Sequence, residues 1–188
     1  MSHSEKIELF KKAIIKFNKN HNLISRKNTD KIIDEAIEEA TALTKHLNQY
    51  KNILDIGTGG GIPGIPLAIF NENKNIYLSE KNNKKNYHLK KTIKLLEIEN
   101  APPLGSANQT PKINKKVDCV VTKAFASTKK TIDIANSFLE KPFTLMLLKG
   151  KLETINKEIE DANISKENYE IIKIENKKEK HILKIQNE

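Results

Sequence analysis

The residues with the clearest chemical purpose lie in Asp55-Ile-Gly-Thr-Gly-Gly-Gly-Ile-Pro-Gly64. Asp55 closes an apolar run, Gly57, Gly59, Gly60 and Gly61 crowd the turn after it, and Pro63 stands where a helix should begin. Glycines permit positive φ and let the backbone come into van der Waals contact with a ligand. Proline at a first helical position has no amide to waste. The start of a helix then presents N–H groups to an anion. Such a turn is suited to cradling a nucleotide-like ligand.

Two patterns fit this turn. Gly59-Gly60-Gly61-Ile62-Pro63-Gly64 satisfies the Gly-x-Gly-x-x-Gly fingerprint of dinucleotide-binding domains. Asp55, Gly57, Gly59 and Gly61 satisfy the acid-x-Gly-x-Gly-x-Gly pattern of S-adenosylmethionine-dependent methyltransferases, in which the helix start would face the methionine carboxylate. Glu80 ends the next apolar run, 23 residues after Gly57, near the spacing at which an acid reaches ribose hydroxyls in nucleotide-binding α/β folds. The methyltransferase is the preferred reading. A methyltransferase acting on a small molecule and a dinucleotide-dependent oxidoreductase are its rivals.

Around that turn the hydrophobic periodicity changes. Leu9, Phe10, Ala13, Ile14 and Phe17 predict an amphipathic helix over 5–17, and Ile33, Ala36, Ile37, Ala40, Leu43 and Leu47 a second, from Asn28 or Thr29 to about Leu47. Then short apolar runs alternate with helical stretches: strands at 53–56, 76–78, 117–121 and 143–148, and helices at 63–70, 84–96, 128–139 and 152–162. Repeated βα units predict a parallel sheet covered on both faces. Pro102, Pro103 and Gly105 leave at most a short strand from near Pro103. Residues 169–174 and 181–185, separated by a polar turn, predict an antiparallel pair at one edge. The expected fold class is therefore α/β: a doubly wound, mostly parallel, Rossmann-like sheet with an antiparallel C-terminal edge strand and two N-terminal helices. It is expected to be one methyltransferase domain over 1–188, with 1–50 as a helical extension and 51–188 as the cofactor-binding sheet.

Composition narrows the alternatives. One cysteine, Cys119, sits mid-strand between valines, which excludes an internal disulfide framework and reads as core. The histidines at 3, 21, 46, 88 and 181 have no ligand spacing, so no metal is expected. Neither a signal peptide nor a membrane span is predicted, and a cytoplasmic monomer is expected. A net charge of +9 favours a polyanionic partner, although Arg26 is the sole arginine among 33 basic residues, a bias typical of AT-rich coding. The lysines between Lys84 and Lys94 surround the apolar stripe Leu89, Ile93 and Leu96 and read first as a solvated helix face.

Beyond the glycine turn, the chain resembles the 16S ribosomal RNA guanine-N7 methyltransferase family, also called glucose-inhibited division protein B. Asn22-Leu-Ile-Ser25, Asp55 through Ala68, the strand ending at Glu80, Leu95 to Asn100, Thr122-Lys-Ala-Phe-Ala-Ser127 and Leu148-Lys-Gly-Lys151 follow the family's order. Gly61-Ile-Pro-Gly-Ile-Pro-Leu-Ala68, with its double proline, is the most specific piece. The resemblance implies S-adenosylmethionine as cofactor and 16S rRNA or the 30S subunit as partner. It also implies that Gly57 and Ile62 touch the cofactor, that Asn108 and Gln109 border its adenine, and that Lys123 stands between cofactor and substrate. Three positions depart from the family: Lys123 replaces arginine, Asn108-Gln109 an acidic pair, and Glu39-Ala-Thr-Ala-Leu43 a His-x-x-Asp-Ser. A catalytically inactive rRNA-binding assembly protein is the alternative these departures raise. Thr122-Lys123-Ala124-Phe125 contains neither the Asn/Asp-Pro-Pro-Tyr of amino methylation nor the Pro-Cys of carbon methylation, and Phe125 reads as a packing residue.

Overall fold

The computed structural model describes residues 1–21, 28–105 and 116–188. Two helices, α1 (His3–His21) and α2 (Thr29–Thr44), precede β1 (Asn52–Ile56), α3 (Gly64–Phe70), β2 (Asn75–Ser79), α4 (Asn83–Leu95) and β3 (Pro103–Gly105). After these come β4 (Cys119–Lys123), α5 (Thr128–Asn136), β5 (Phe143–Lys149), α6 (Leu152–Asp161), β6 (Tyr169–Lys173) and β7 (His181–Asn187). The strands form one sheet in the order β3-β2-β1-β4-β5-β7-β6. The first five pair in parallel, and β7 runs antiparallel to both its neighbours. The antiparallel edge has the expected character, with the reversed strand one place in from the rim.

Alternation along the strands sorts the core into two layers, because successive side chains point to opposite faces. Ile53, Ile76, Leu78, Cys119, Val121, Met146 and Leu148 meet α1 through α4, with Phe10, Ile14, Ile33, Leu43 and Leu89 buried between. Leu54, Ile56, Val120, Leu145 and Leu147 meet Ala135 of α5 and Ile155 and Ile159 of α6. The N-terminal helices thus complete one layer of the core. Burial pushes the Cys119 thiol up, which suits a packing residue better than a nucleophile. No helix among the described residues is long and apolar enough to cross a membrane.

Strand order reverses between β1 and β4, which register Asp55 against Val121. In open α/β sheets this switch point opens a crevice at the carboxyl ends of the strands. The loop after β4 is fixed there from the α6 side. Glu158 Oε2 accepts from Thr128 N at 3.1 Å, Thr128 Oγ1 at 2.6 Å and Lys149 Nζ at 2.6 Å. Burial would raise the Glu158 carboxyl, but Lys149 and Thr128 outweigh it and hold it below its ordinary value.

Glu158→Ala removes three bonds to a charged acceptor and should lower stability by roughly 1.5–3 kcal/mol near neutral pH. A group with a depressed folded-state pKa stabilises above its unfolded value and loses that contribution as pH falls through the folded value. The gap between wild type and variant should therefore shrink below about pH 4.5, the group's ordinary value. Chemical denaturation at pH 7 and pH 3.5 measures it; an equal gap at both would remove the ionic role.

Candidate cofactor site

Between β1 and α3 the backbone reverses while bonding most of its own amides. Gly57 N and Thr58 N donate to Ser79 O at 2.9 and 3.1 Å, and Gly61 N and Ile62 N donate to Thr58 O at 2.9 and 3.0 Å. Gly59 N donates to Glu80 Oε2 at 3.1 Å. The other carboxylate oxygen of Glu80 accepts from Asn82 N at 2.8 Å, and the side chain is buried. Glu80 thus braces the centre of the turn from β2.

Asp55 lies beneath the turn, fully buried, with Oδ2 accepting from Gly64 N at 2.9 Å. Its position corrects the expectation of helix-start amides free for an anion. Gly64 N is taken by Asp55 and Ile65 N by Gly61 O, and α3 starts at Gly64, with Pro63 as the residue before its first turn. Burial pushes the Asp55 carboxyl up to about 7, against the Thr58 hydroxyl and the Gly64 amide, which favour its charged form.

The three alternate glycines have three different environments. At Gly57, φ +73°, an added Cβ would run into the Phe125 ring of the loop after β4. At Gly61, φ +98°, it would stand 2.5 Å from Ile65 Cδ1 and 3.2 Å from Leu89 Cδ2. At Gly59, φ +59°, it would meet nothing nearer than Gly57 O at 3.9 Å. The open face at Gly59, beside Glu80, is the cradle that fits a nucleotide-like cofactor.

Lys123 is the last residue of β4, on the other side of the switch point. Its Nζ donates to Glu39 Oε2 of α2, and Lys180 Nζ lies 2.7 Å from Glu39 Oε1. Only 3% of the Glu39 side chain is exposed. Burial would raise its carboxyl, but Lys123 and Lys180 together hold it below the ordinary value. The structure thus brings Gly57, Gly59, Gly61, Glu80 and Lys123 to one end of the sheet, with Asp55 beneath, while Ile62, half-buried, packs against the α1–α4 core layer. Asn108 and Gln109 lie outside the described residues. Sequence reasoning assigned no role to Glu39; its signal was an acid standing where the resembled family has histidine. A surface groove of about 730 Å³ between α2 and the β6–β7 hairpin is lined by neither the glycine turn nor Glu80. Among the described residues no three His, Cys, Asp or Glu side chains gather as a metal would require.

Two outcomes are expected of this turn. Gly59→Ala places a side chain in open space at the strain of a left-handed residue, roughly 1–2 kcal/mol, and should lose S-adenosylmethionine binding while staying folded; Gly61→Val should melt at a clearly lower temperature because it strikes Ile65 and Leu89. Calorimetric titration with thermal melting separates the two, and wild-type binding by Gly59→Ala would remove the cradle. For Asp55 the raised pKa sets the sign: its contribution is complete below the unfolded value of 3.8 and is lost as pH rises through about 7. Asp55→Asn retains an acceptor for Gly64 and cannot titrate, so relative to the variant the wild type should lose up to roughly 4 kcal/mol between pH 4 and pH 8. Parallel pH profiles of the two would contradict the buried carboxyl.

Known proteins resemble this chain in sequence and in fold. A family model described as rRNA small subunit methyltransferase G matches residues 3–184. The Ribosomal RNA small subunit methyltransferase G of Brachyspira hyodysenteriae is 34% identical over 182 residues, covering 95% of this chain and 88% of the relative. That of Borreliella burgdorferi (strain ZS7) is 33% identical over 162 residues, covering 82% and 76%. Among solved structures, a SAM-dependent methyltransferase from Aquifex aeolicus superposes with a TM-score of 0.64 at 15% identity, covering 88% of this chain and all of that one. A T. thermophilus 16S rRNA N2 methyltransferase in complex with AdoMet and guanosine superposes with a TM-score of 0.60 at 16% identity, covering 80% and 42%. These two likenesses establish the fold, and the sequence matches establish descent: the chain belongs to the rRNA small subunit methyltransferase G family.

Proposed function

We infer that this chain, acting as a monomer, transfers a methyl group from S-adenosylmethionine to N7 of a guanine in 16S rRNA of the small ribosomal subunit. The observation that carries the reading is the open face of Gly59 beside Glu80 at the switch point, in a chain of this family. S-adenosylmethionine, when bound, supplies an electrophilic sulfonium methyl. Gly57, Gly59 and Gly61 shape the cradle, Asp55 holds the turn from below, and Glu80 offers its remaining carboxylate lone pairs to ribose hydroxyls. By the resemblance, Ile62 touches the cofactor and Asn108 and Gln109 border its adenine.

Guanine N7 carries a lone pair and no proton, so the protein needs neither a general base nor a covalent intermediate. Its task is to hold two reactants in line, which by itself accounts for a large part of a barrier. Lys123 is suited to orienting the substrate. An ammonium has three donors, and Glu39 is its one bonded acceptor among the described residues. The donors that remain can meet a phosphate or guanine O6. Because Glu39 is buried, Lys123→Ala also disturbs folding, by less than the roughly 3–5 kcal/mol of a fully lost buried partner, since Lys180 remains.

The test is methyl transfer by the purified chain to 30S subunits or 16S rRNA lacking the modification, with the product mapped by mass spectrometry. One 7-methylguanine is expected, and no incorporation into either substrate would overturn the reading. Lys123→Arg should retain or raise activity, since its planar fork offers paired donors. The double variant Glu39→Gln with Lys123→Ala buries no unpaired carboxylate and should stay folded while methylating at least tenfold more slowly. A wild-type rate in that variant would make Lys123 a bystander.

A further inference from the structure

We propose that the outer face of α4, carrying Lys84, Tyr87, Lys91 and Lys94, docks the RNA substrate by holding its phosphates and stacking one unpaired base. The proposal rests on the rRNA methyltransferase reading and locates where the RNA is held.

The four residues follow one another at intervals of three and four, which sets them in a single stripe along the helix. The opposite side of α4 is consumed by packing, with His88, Leu89 and Thr92 buried. Tyr87 stands out at 56% exposure, although a tyrosine normally spends its large ring on burial. Lys91 Nζ lies 4.6 Å from the ring centroid. An exposed aromatic with a cation beside it is the arrangement that stacks an unpaired base while its lysine meets the adjoining phosphate.

This helix carries its positive charge with no acid of its own. Several lysines elsewhere are matched with acids, among them Lys6 with Glu72, Lys11 with Asp34, Lys149 with Glu158 and Lys184 with Glu170. Within Asn83–Leu95 there is no acidic residue, and none of Lys84, Lys91 and Lys94 forms an ion pair among the described residues. A compositional drift toward lysine would not by itself remove the acids, or leave an aromatic uncovered among the lysines. Position agrees with charge. Asn82 caps α4 two residues after Glu80, whose carboxylate touches Gly59, so the stripe begins at the edge of the cradle.

The test uses the full chain, measuring equilibrium binding to 16S rRNA and to 30S subunits across a salt series, with S-adenosylmethionine affinity and thermal melting as controls. Lys91→Ala with Lys94→Ala should flatten the slope of log affinity against log salt by roughly 1.5, at about 0.7–0.9 for each phosphate that is no longer neutralised. Tyr87→Ala should weaken RNA binding roughly 5- to 100-fold, and Tyr87→Phe should restore it, because the ring and not the hydroxyl stacks. Cofactor affinity and melting temperature should stay at wild-type values in all three. Wild-type RNA affinity and salt slope in the lysine and Tyr87→Ala variants would overturn the proposal. So would a loss confined to intact 30S subunits, which would put a ribosomal protein on this face. If the wild type methylates no rRNA yet these variants lose RNA affinity, the docking surface stands and the enzymatic reading falls.

Discussion

The carboxyl end of the sheet depends on one buried bond, from Gly64 N to Asp55 Oδ2. A parallel strand must hand over to its helix within a few residues, and every amide in that turn needs a partner if the turn is to keep its shape. Asp55 supplies the partner at the far end, where α3 begins, and cannot be reached by solvent. The same constraint dictates its neighbours. Gly64 has no room for a Cβ between Leu78 and the Asp55 carboxyl, and Glu80 must arrive from β2 to receive Gly59 N. A raised carboxyl pKa is the cost of putting an acid where no water can solvate it.

Charge pairing distributes the other constraints. Glu39 joins α2 to the end of β4 and the start of β7, drawing the N-terminal helices and the C-terminal hairpin onto one point beside the switch crevice. Adjacent pairs, Glu38 with Lys177 and Glu175 with Lys45, repeat the clasp between α2 and the hairpin. A buried carboxylate must keep a compensating charge beside it, so the clasp also fixes where Lys123 points. The lysines of α4 have no acid on their own helix, which places positive charge next to the cradle and favours approach by a polyanion.

Much of this was legible in the residues. Apolar spacing of three and four marked α1, α2 and α4, and short apolar runs marked β1, β2, β4 and β5 to within about two residues, because a buried stripe must repeat with its element's own period. The largest such shift fell at β4, expected over 117–121 and found as Cys119–Lys123, which makes Lys123 the end of a strand instead of part of a loop. That Glu80 lies against the turn was legible in its distance from the glycines. Glu39 was not assigned, since its partners lie 84 and 141 positions away in sequence and no local pattern announces a bond of that range.

By itself the sequence determined the doubly wound architecture, the glycine turn with its two acids, and the family, because these are set by local periodicity, backbone freedom and motif order. Only the tertiary structure decided what each glycine is for. Gly57, Gly59 and Gly61 are the same residue at the same interval, yet Phe125 crowds the first, Ile65 and Leu89 crowd the third, and the second faces open space. Only the tertiary structure, likewise, separated the paired lysines from the unpaired ones. Both distinctions are made by neighbours distant in the chain, and the space and charge around a residue are fixed by what the fold packs beside it.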